Sequence, residues 1–444
     1  MSTQNGKKTG KEVSFRAKQI KSLIRNFLNL SLMKCFVLSF GCILLNGCSP
    51  IRLGSVLVLE GQEEALGNNM RLGLEAAFKD KRVKGRKIEI IFQNDYYEPD
   101  VAEQKTEELI NSGILLMIGN VGTPTAKKTL PKLTDDNNNI PAVGFLTGAQ
   151  DLRNNSQLII NYRASYKQEI EKVVEIAANK KHIKPSEICA YVQNDEFGMS
   201  VLEDLRDSLR DRLEKEEAQE KILGFYNQYF DLKNKERKRN EILGPVGFYS
   251  RNTPDVEPGY KSLEDWEKKY KKCKLVVTAG TSSNISGFIN HARENKKDWL
   301  ISSLSFAHAQ ELKLDLEEYG IENNVILTQV VPSLESLDIV KEAKSKLKDK
   351  FNNVSLEGYI VGKMTLKILQ KIRGKINRKN FLKAAKSKFD LGGVCIDLTQ
   401  GRTQASDLVL ISELKLKGKD KDTVFEKLDD SDSAQHNDSQ NNCP

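Results

Sequence analysis

Residues Ile51 to Phe78 read IRLGSVLVLEGQEEALGNNMRLGLEAAF, a β-branched apolar run followed, after a polar turn, by apolar residues at helical spacing. The first nine residues suit a strand, and Ala65 to Phe78 suits a helix folded back over it. The same pairing recurs downstream. KIEIIFQ (87–93) precedes a helix from Pro99 to Asn111, ILLMIG (114–119) precedes one from Pro124 to Leu133, and AVGFL (142–146) and LIINYR (158–163) follow. The rhythm restarts with a helix from Lys167 to Lys180, ICAYVQ (188–193), a helix from Ser200 to Glu217, VGFYS (246–250), a helix through Leu263 to Lys271 and KLVVTAG (274–280). Alternation of this kind marks βαβ units and parallel sheets, so two such series predict an α/β chain of two doubly wound lobes. Ligands of these sheets gather at the carboxyl ends of strands, beside exposed helix N-termini. One stretch, Glu214 to Asn240, is highly charged and carries Phe225, Tyr226, Tyr229 and Phe230. It reads as a surface insertion whose rings either cover the adjacent helix or dock a partner.

Upstream of the first strand, Phe36 to Leu45 (FVLSFGCILL) follows Lys34 and ends in Asn46, Gly47 and Cys48. As a helix it would span only ~15 Å, half the hydrocarbon thickness, so it reads as a signal-peptide core and not a membrane span. Residues 1–47 are expected to be leader and signal, with Met33 as the start of a compact signal. Of the 69 Lys/Arg and 61 Asp/Glu behind the formal charge of +8, eight and one precede Cys48, which leaves 61 against 60 after it. The basic excess is therefore a targeting charge, and a nucleic-acid partner is not expected. Two of the seven cysteines, Cys35 and Cys42, belong to the signal. Cys189, Cys273 and Cys395 lie in or beside strand-like runs as small hydrophobes, a disulfide between two of them remaining open. Cys443 falls in the polar stretch 417–444, which is expected to be disordered.

Several segments in order resemble one family, the type I periplasmic binding proteins of branched-chain amino-acid ABC importers. They are the opening stretch, NDYYEP (94–99), GNVGTPTAKKTLP (119–131), FLTGAQDLR (145–153), NYRASYKQEIEKVV (161–174), QNDEFGMSV (193–201), YSRNTPDVEP (249–258), LTQVVP (327–332), SLEGY (355–359) and FDLGGVCIDLTQGRTQASDLVL (389–410). The resemblance implies two Rossmann-like lobes joined by three crossovers, near Arg163, near Val331 to Ser333 and near Gly392 to Cys395. The N-terminal lobe would comprise 51–163 plus 332–393 and the C-terminal lobe 164–331 plus 394–416. Leu45, Gly47 and Cys48 resemble the lipobox of bacterial lipoproteins, which implies lipidation of Cys48 and an extracytoplasmic protein held at a membrane. The function implied is capture of a small polar ligand between closing lobes for an ABC permease and ATPase. A sensor that passes closure to a separate signalling protein is the alternative.

The residues themselves suit binding better than catalysis. His182, His291, His308 and His436 lack ligand-like spacing, and there is no paired-cysteine zinc motif, no GxSxG elbow and no GxxxxGK loop, so no enzyme, metal or cofactor is expected. In GNVGTPTA, Gly122 precedes Thr123, which reads as the N-cap of a helix with Pro124 in its first turn. The resemblance makes the Thr123 hydroxyl a ligand for a carboxylate. In FLTGAQ it places Leu146 and Gly148 where the family supplies a carbonyl and a hydroxyl; Gly148 has none, Thr147 is the available substitute, and Ala149 lies nearby. Phe197 matches an aromatic residue that lines the family's cleft, and Tyr166, a further candidate, sits just after the first crossover. Thr281 and Ser282 stand where the family has a tyrosine, and Ser305 and Phe306 close LISSLSF. The family's glutamate for a ligand ammonium aligns with Leu304 and Ser305, so a small carboxylate or amide competes with an amino acid as ligand.

Overall fold

The computed structural model describes residues 49–153, 156–212, 217–231, 236–417, 422–428 and 443. Cys48 and the signal lie outside these residues, as do 429–442 at the end of the predicted tail. Among the described residues two compact units are distinguished, a small one of 49–51 with Lys81–Ile88, and a large one comprising the rest. In the small unit the Arg86 guanidinium donates to the carbonyls of Ser49 and Pro50, at 2.7 and 3.0 Å.

In chain order the elements begin with β1 (Ile51–Leu57), α1 (Glu64–Phe78), β2 (Arg82–Val83), β3 (Arg86–Asn94), α2 (Pro99–Asn111), β4 (Leu116–Ile118), α3 (Thr123–Thr134), β5 (Ala142–Val143) and β6 (Ile159–Ile160). The first sheet runs β3-β1-β4-β5-β6, with β1, β4, β5 and β6 parallel and Leu53 opposite Leu116. All of β1 except Arg52 is buried, as expected of a strand covered on both faces. The chain then leaves through 161–165 into α4 (Tyr166–Asn179), β7 (Ile188–Gln193), α5 (Glu196–Arg212), α6 (Glu217–Asp231), β8 (Val246–Tyr249), α7 (Glu257–Lys269), β9 (Leu275–Ala279), α8 (Ser282–Glu294), β10 (Leu300–Ser303), α9 (Ala309–Glu318) and β11 (Val325–Gln329). It returns with α10 (Asp338–Leu347), α11 (Asn353–Lys371), which packs on α1, α12 (Arg378–Ala385) and the hairpin β12 (Lys388–Asp390) and β13 (Cys395–Asp397). Finally β14 (Leu410–Lys417) and β15 (Asp422–Lys427) join the second sheet, in the order β15-β14-β11-β10-β9-β7-β8.

The two doubly wound lobes are thus present, with two differences from expectation. Gly392 to Cys395 do not cross between lobes; they turn the β12–β13 hairpin, and the chain enters the second sheet only at Leu410 after running beside Asn161 and Tyr162. The polar tail begins later than 417, because DTVFEK alternates in a way that lets Phe425 reach the second lobe's core while pairing with Leu414. In the charged insertion the rings take the covering role: among its described residues Tyr226 and Tyr229 are fully buried, Phe225 lies edge-on to Trp266 of α7, and Tyr226 Oη donates to the Ile188 carbonyl at 3.1 Å.

Cysteine chemistry also differs from the small-hydrophobe reading. Cys189 in β7 is bonded to Cys273 just before β9, and Cys395 to Cys443.

Candidate functional site

Each sheet reverses its strand order at its centre, between β1 and β4 in the first and between β7 and β9 in the second. Loops leaving the carboxyl ends of such a pair diverge and open a crevice. The four loops concerned carry Glu63, Gly122 and Thr123, Asp195 and Phe197, and Thr281.

The loop after β4 is clasped to the loop after β5: Leu146 N–H donates to the Asn120 carbonyl at 2.7 Å and Gly122 N–H to the Leu146 carbonyl at 3.2 Å. Gly122, at φ 103°, is the residue that caps α3, so Thr123 is the first helical residue and not the cap expected. A Cβ at Gly122 would stand 2.4 Å from the Tyr97 ring. Thr123 Oγ1 lies 2.8 Å from Thr147 Oγ1, both buried, and Thr147 Oγ1 accepts from Ala149 N–H at 3.3 Å. Two hydroxyls at the positive end of a helix form a neutral, donor-rich seat that suits a carboxylate.

Gly148 plays a different part from the one its alignment implied. Its carbonyl accepts from Tyr166 N–H at 2.8 Å, and a Cβ there would meet the Tyr166 ring at 2.4 Å. Glycine lets the ring cover the loop. Arg153, which the sequence reading left without a role, locks the same loop by donating to the carbonyls of Thr147, Arg163 and Ala164 at 2.9, 2.9 and 3.2 Å. Burial, with Arg163 nearby, pushes its guanidinium down to about 10.

An aromatic wall follows. Tyr166 opens α4 behind the capping box of Ser165 and Gln168, and its ring centroid lies 5.3 Å from that of Phe197. Phe197 in turn lies 4.7 Å from Phe306, and Phe306 6.4 Å from Tyr97. All four rings are buried. Tyr97 belongs to NDYYEP, where Tyr96 and Tyr97 both hold positive φ, 54° and 60°, and Asp95 Oδ1 accepts from Tyr97 N–H at 2.9 Å. Adjacent left-handed bulky residues are costly and mark a backbone shaped for position. Nothing in the sequence singled out Tyr97 beyond that motif.

Ser305 turns away from ligand duty. Its N–H and Oγ both donate to the Glu169 carboxylate at 2.9 Å, and Arg163 Nη2 donates to the same Oγ. Arg163 also faces Glu357 at 3.5 Å. A glutamate, Glu169 of α4, therefore does back this position, and its carboxylate also accepts from Thr328 Oγ1.

Thr281 and Ser282 part company. Thr281 Oγ1 donates to Glu63 Oε1 at 2.9 Å, joined by Ser283 Oγ at 3.3 Å, whereas Ser282 Oγ donates to Glu311 at 2.7 Å. Glu63 is 7 % exposed and faces no cation among the described residues; burial pushes its carboxyl up from 4.5 to about 7 against the pull of the two hydroxyls. Below it, Arg251 joins the lobes, donating to Asp195 Oδ2 at 3.0 Å and to Glu98 Oε2 at 2.9 Å. Asn252 adds a bond to Glu98 at 2.8 Å. Glu63, Tyr97, Arg153, Asp195 and Arg251 are the site residues that the sequence reading missed; all depend on contacts distant in the chain.

Among the described residues no group of three or more His, Cys, Asp or Glu is placed to hold a metal ion, and no helix is long and apolar enough to cross a membrane.

A family model described as periplasmic binding protein matches residues 50–212. Among solved structures the chain is similar to a protein of Rhodopirellula baltica described as a "possible leucine/isoleucine/valine-binding protein", with 29% identity over 85% of this chain and 96% of that one and a TM-score of 0.72. A leucine-binding protein of Thermotoga maritima shares the fold at 14% identity, covering 85% of this chain and 97% of that one, with a TM-score of 0.66. A solute-binding protein of R. palustris in complex with 4-hydroxybenzoate does so at 15% identity, 86% and 96% coverage and a TM-score of 0.65. No curated protein matches the sequence significantly. Two doubly wound lobes with a crevice at their switch points, and these likenesses, give the chain the fold of type I periplasmic binding proteins, with residues 50–212 matching the periplasmic binding protein model.

Proposed function

We propose that the protein is an extracytoplasmic solute-binding protein, lipid-anchored through Cys48, that captures a small polar ligand between its lobes and delivers it to an ABC importer. The observation that carries this reading is the pairing of opposite chemistries at the switch points. The Thr123 and Thr147 hydroxyls at the start of α3 suit a carboxylate, and the buried, cation-free Glu63 suits an ammonium. Glu63 adds a second carboxyl to the crevice, beyond the Glu169 bonded to Ser305 and Thr328, so an α-amino acid ranks first among ligands, ahead of an amide or simple carboxylate. The ligands named for the similar proteins, leucine, isoleucine and valine, 4-hydroxybenzoate and a fatty acid, share a carboxylate, in keeping with the α3 end of the site. Two disulfides suit an oxidising compartment outside the cytoplasm.

Titration calorimetry with leucine, isoleucine, valine and 4-hydroxybenzoate tests the ligand. Micromolar binding of an amino acid, about 8 kcal/mol, is expected, with Thr123→Val weakening it about tenfold or more through loss of a charge-assisted hydrogen bond. Binding of 4-hydroxybenzoate with none of the amino acids would remove Glu63 from its role. N-terminal mass spectrometry tests the anchor, and a mature chain that begins before Cys48 would exclude it. One structural relative, from Verminephrobacter eiseniae, is described as an extracellular ligand-binding receptor, which favours the sensor as second reading. Co-purification of a kinase or chemoreceptor in place of a permease would select it.

A further inference from the structure

Between Glu357 and Asp390 the chain holds ten Lys/Arg and no Asp/Glu, whereas the rest of the chain after Cys48 holds 51 Lys/Arg against 60 Asp/Glu. Lys363 pairs with Glu342 and Lys388 with Asp397; no other cation of the stretch faces a carboxylate among the described residues. Arg373, Lys375, Lys379, Lys383 and Lys386 are exposed. Several of these cations rim a cavity of about 550 Å³ beside α12, lined by Arg378, Lys379, Lys383 and Lys386 with Leu158 and Leu382. Arg378 is built into the fold, donating to the carbonyls of Ile114 and Asn138 at 2.9 and 2.6 Å.

These partners fix where the patch lies. Ile114, Asn138 and Leu158 precede β4, β5 and β6, so it occupies the amino end of the first sheet, opposite the crevice at the carboxyl ends. Ile114 adjoins Leu115, whose N–H donates to the Arg52 carbonyl at 2.8 Å in the neighbouring β1. Arg52 stands four residues after Cys48, a reach of ~14 Å at most.

We infer that the α12 patch is a docking surface for a bilayer carrying anionic lipid, whose headgroup phosphates seat among Lys379, Lys383 and Lys386 over the apolar floor of Leu158 and Leu382. The placement of the patch near the tether rests on the Cys48 reading; the lipid chemistry does not. Docked this way, the first lobe turns its crevice away from the membrane and toward free ligand. Exposed aromatic residues for stacking on nucleic-acid bases are absent from the cavity lining, which favours phosphate headgroups over single-stranded nucleic acid.

The test is vesicle binding by the full chain carrying Cys48→Ser, which removes any lipid, with and without Lys379→Gln, Lys383→Gln and Lys386→Gln. Each basic residue near an anionic surface contributes about fivefold in affinity, so the triple change should weaken binding to phosphatidylglycerol-containing vesicles about a hundredfold, and leave weak binding to phosphatidylcholine unchanged. Amide exchange over residues 372–387 should slow on the anionic vesicles only. Equal binding by both chains with unaltered exchange over 372–387 would overturn the proposal, as would equal affinity for neutral vesicles. A short DNA duplex bound as tightly, with the same loss in the triple variant, would overturn the lipid assignment. N-terminal processing at Cys48 is read separately by mass, so failure of the anchor and failure of the patch are distinguishable.

Discussion

Glu63 concentrates the chemistry of the crevice in one carboxyl. Its proton is held to about pH 7 in the folded protein against 4.5 in a free side chain, so folding takes up a proton between those values. Stability from this group therefore falls as pH rises from 4.5 to 7 and stays low above, by about 3 kcal/mol in all. Glu63→Gln keeps an acceptor for Thr281 and Ser283 without the charge. Thermal unfolding of this variant should show higher stability than the parent at pH 8, near equality at pH 4.5 and a shallower slope between, with the slope from Asp95 and Asp204, also raised to about 7, retained. An unchanged pH profile would mean that Glu63 is solvated. The same substitution should weaken an amino-acid ligand while sparing a simple carboxylate. Gly148, by contrast, is a matter of shape: Tyr166 occupies the space of any side chain there.

Among the elements, β7 and β9 set the second half of the crevice, because Phe197 and Thr281 follow their carboxyl ends. The strands pair in parallel from Ile188↔Leu275, and the Cys189–Cys273 disulfide closes 84 residues around them at the opposite end. In the chain-entropy account a loop of that length is worth roughly 4 kcal/mol, commonly less in practice. The double change Cys189→Ala and Cys273→Ala should therefore lower unfolding stability in denaturant by ~2–4 kcal/mol while ligand affinity changes little. An affinity loss as large as the stability loss would show that the strand ends, and not only the unfolded state, depend on the bond. α3 shows the same separation of roles, its buried face packing the lobe while its first residue, Thr123, belongs to the proposed carboxylate seat.

At the scale of the whole molecule, the proposed capture of ligand requires that the lobes approach, and polar contacts already join them. Arg251 bridges Asp195 and Glu98, Glu63 meets Thr281, and Asn69 lies 3.5 Å from His308. Glu98 is the exposed partner, so its removal loosens the bridge without stranding a buried charge. Glu98→Gln should shift the balance toward the open form by up to about fivefold, ~1 kcal/mol, a typical worth for such a pair. X-ray scattering would show this as a larger radius of gyration before ligand, recovered at saturation. Identical scattering by parent and variant, with and without ligand, would remove hinge closure from the mechanism.

The fold class was determined by the sequence itself, because alternation of β-branched runs with helical spacing is local, and so were the glycine loops at Gly122 and Gly148. The opening run from Ile51 to Phe78 became β1 and α1, the strand ending two residues and the helix starting one residue earlier than expected. The tertiary structure decided which hydroxyls meet. Thr123 and Thr147 converge because β4 and β5 are neighbours, while Ser282 and Ser305 are taken by Glu311 and Glu169. It also decided the disulfides, the strand within the expected tail and the roles of Glu63, Tyr97 and Arg251, since burial and long-range pairing are properties of the packed chain and leave no periodicity in the sequence.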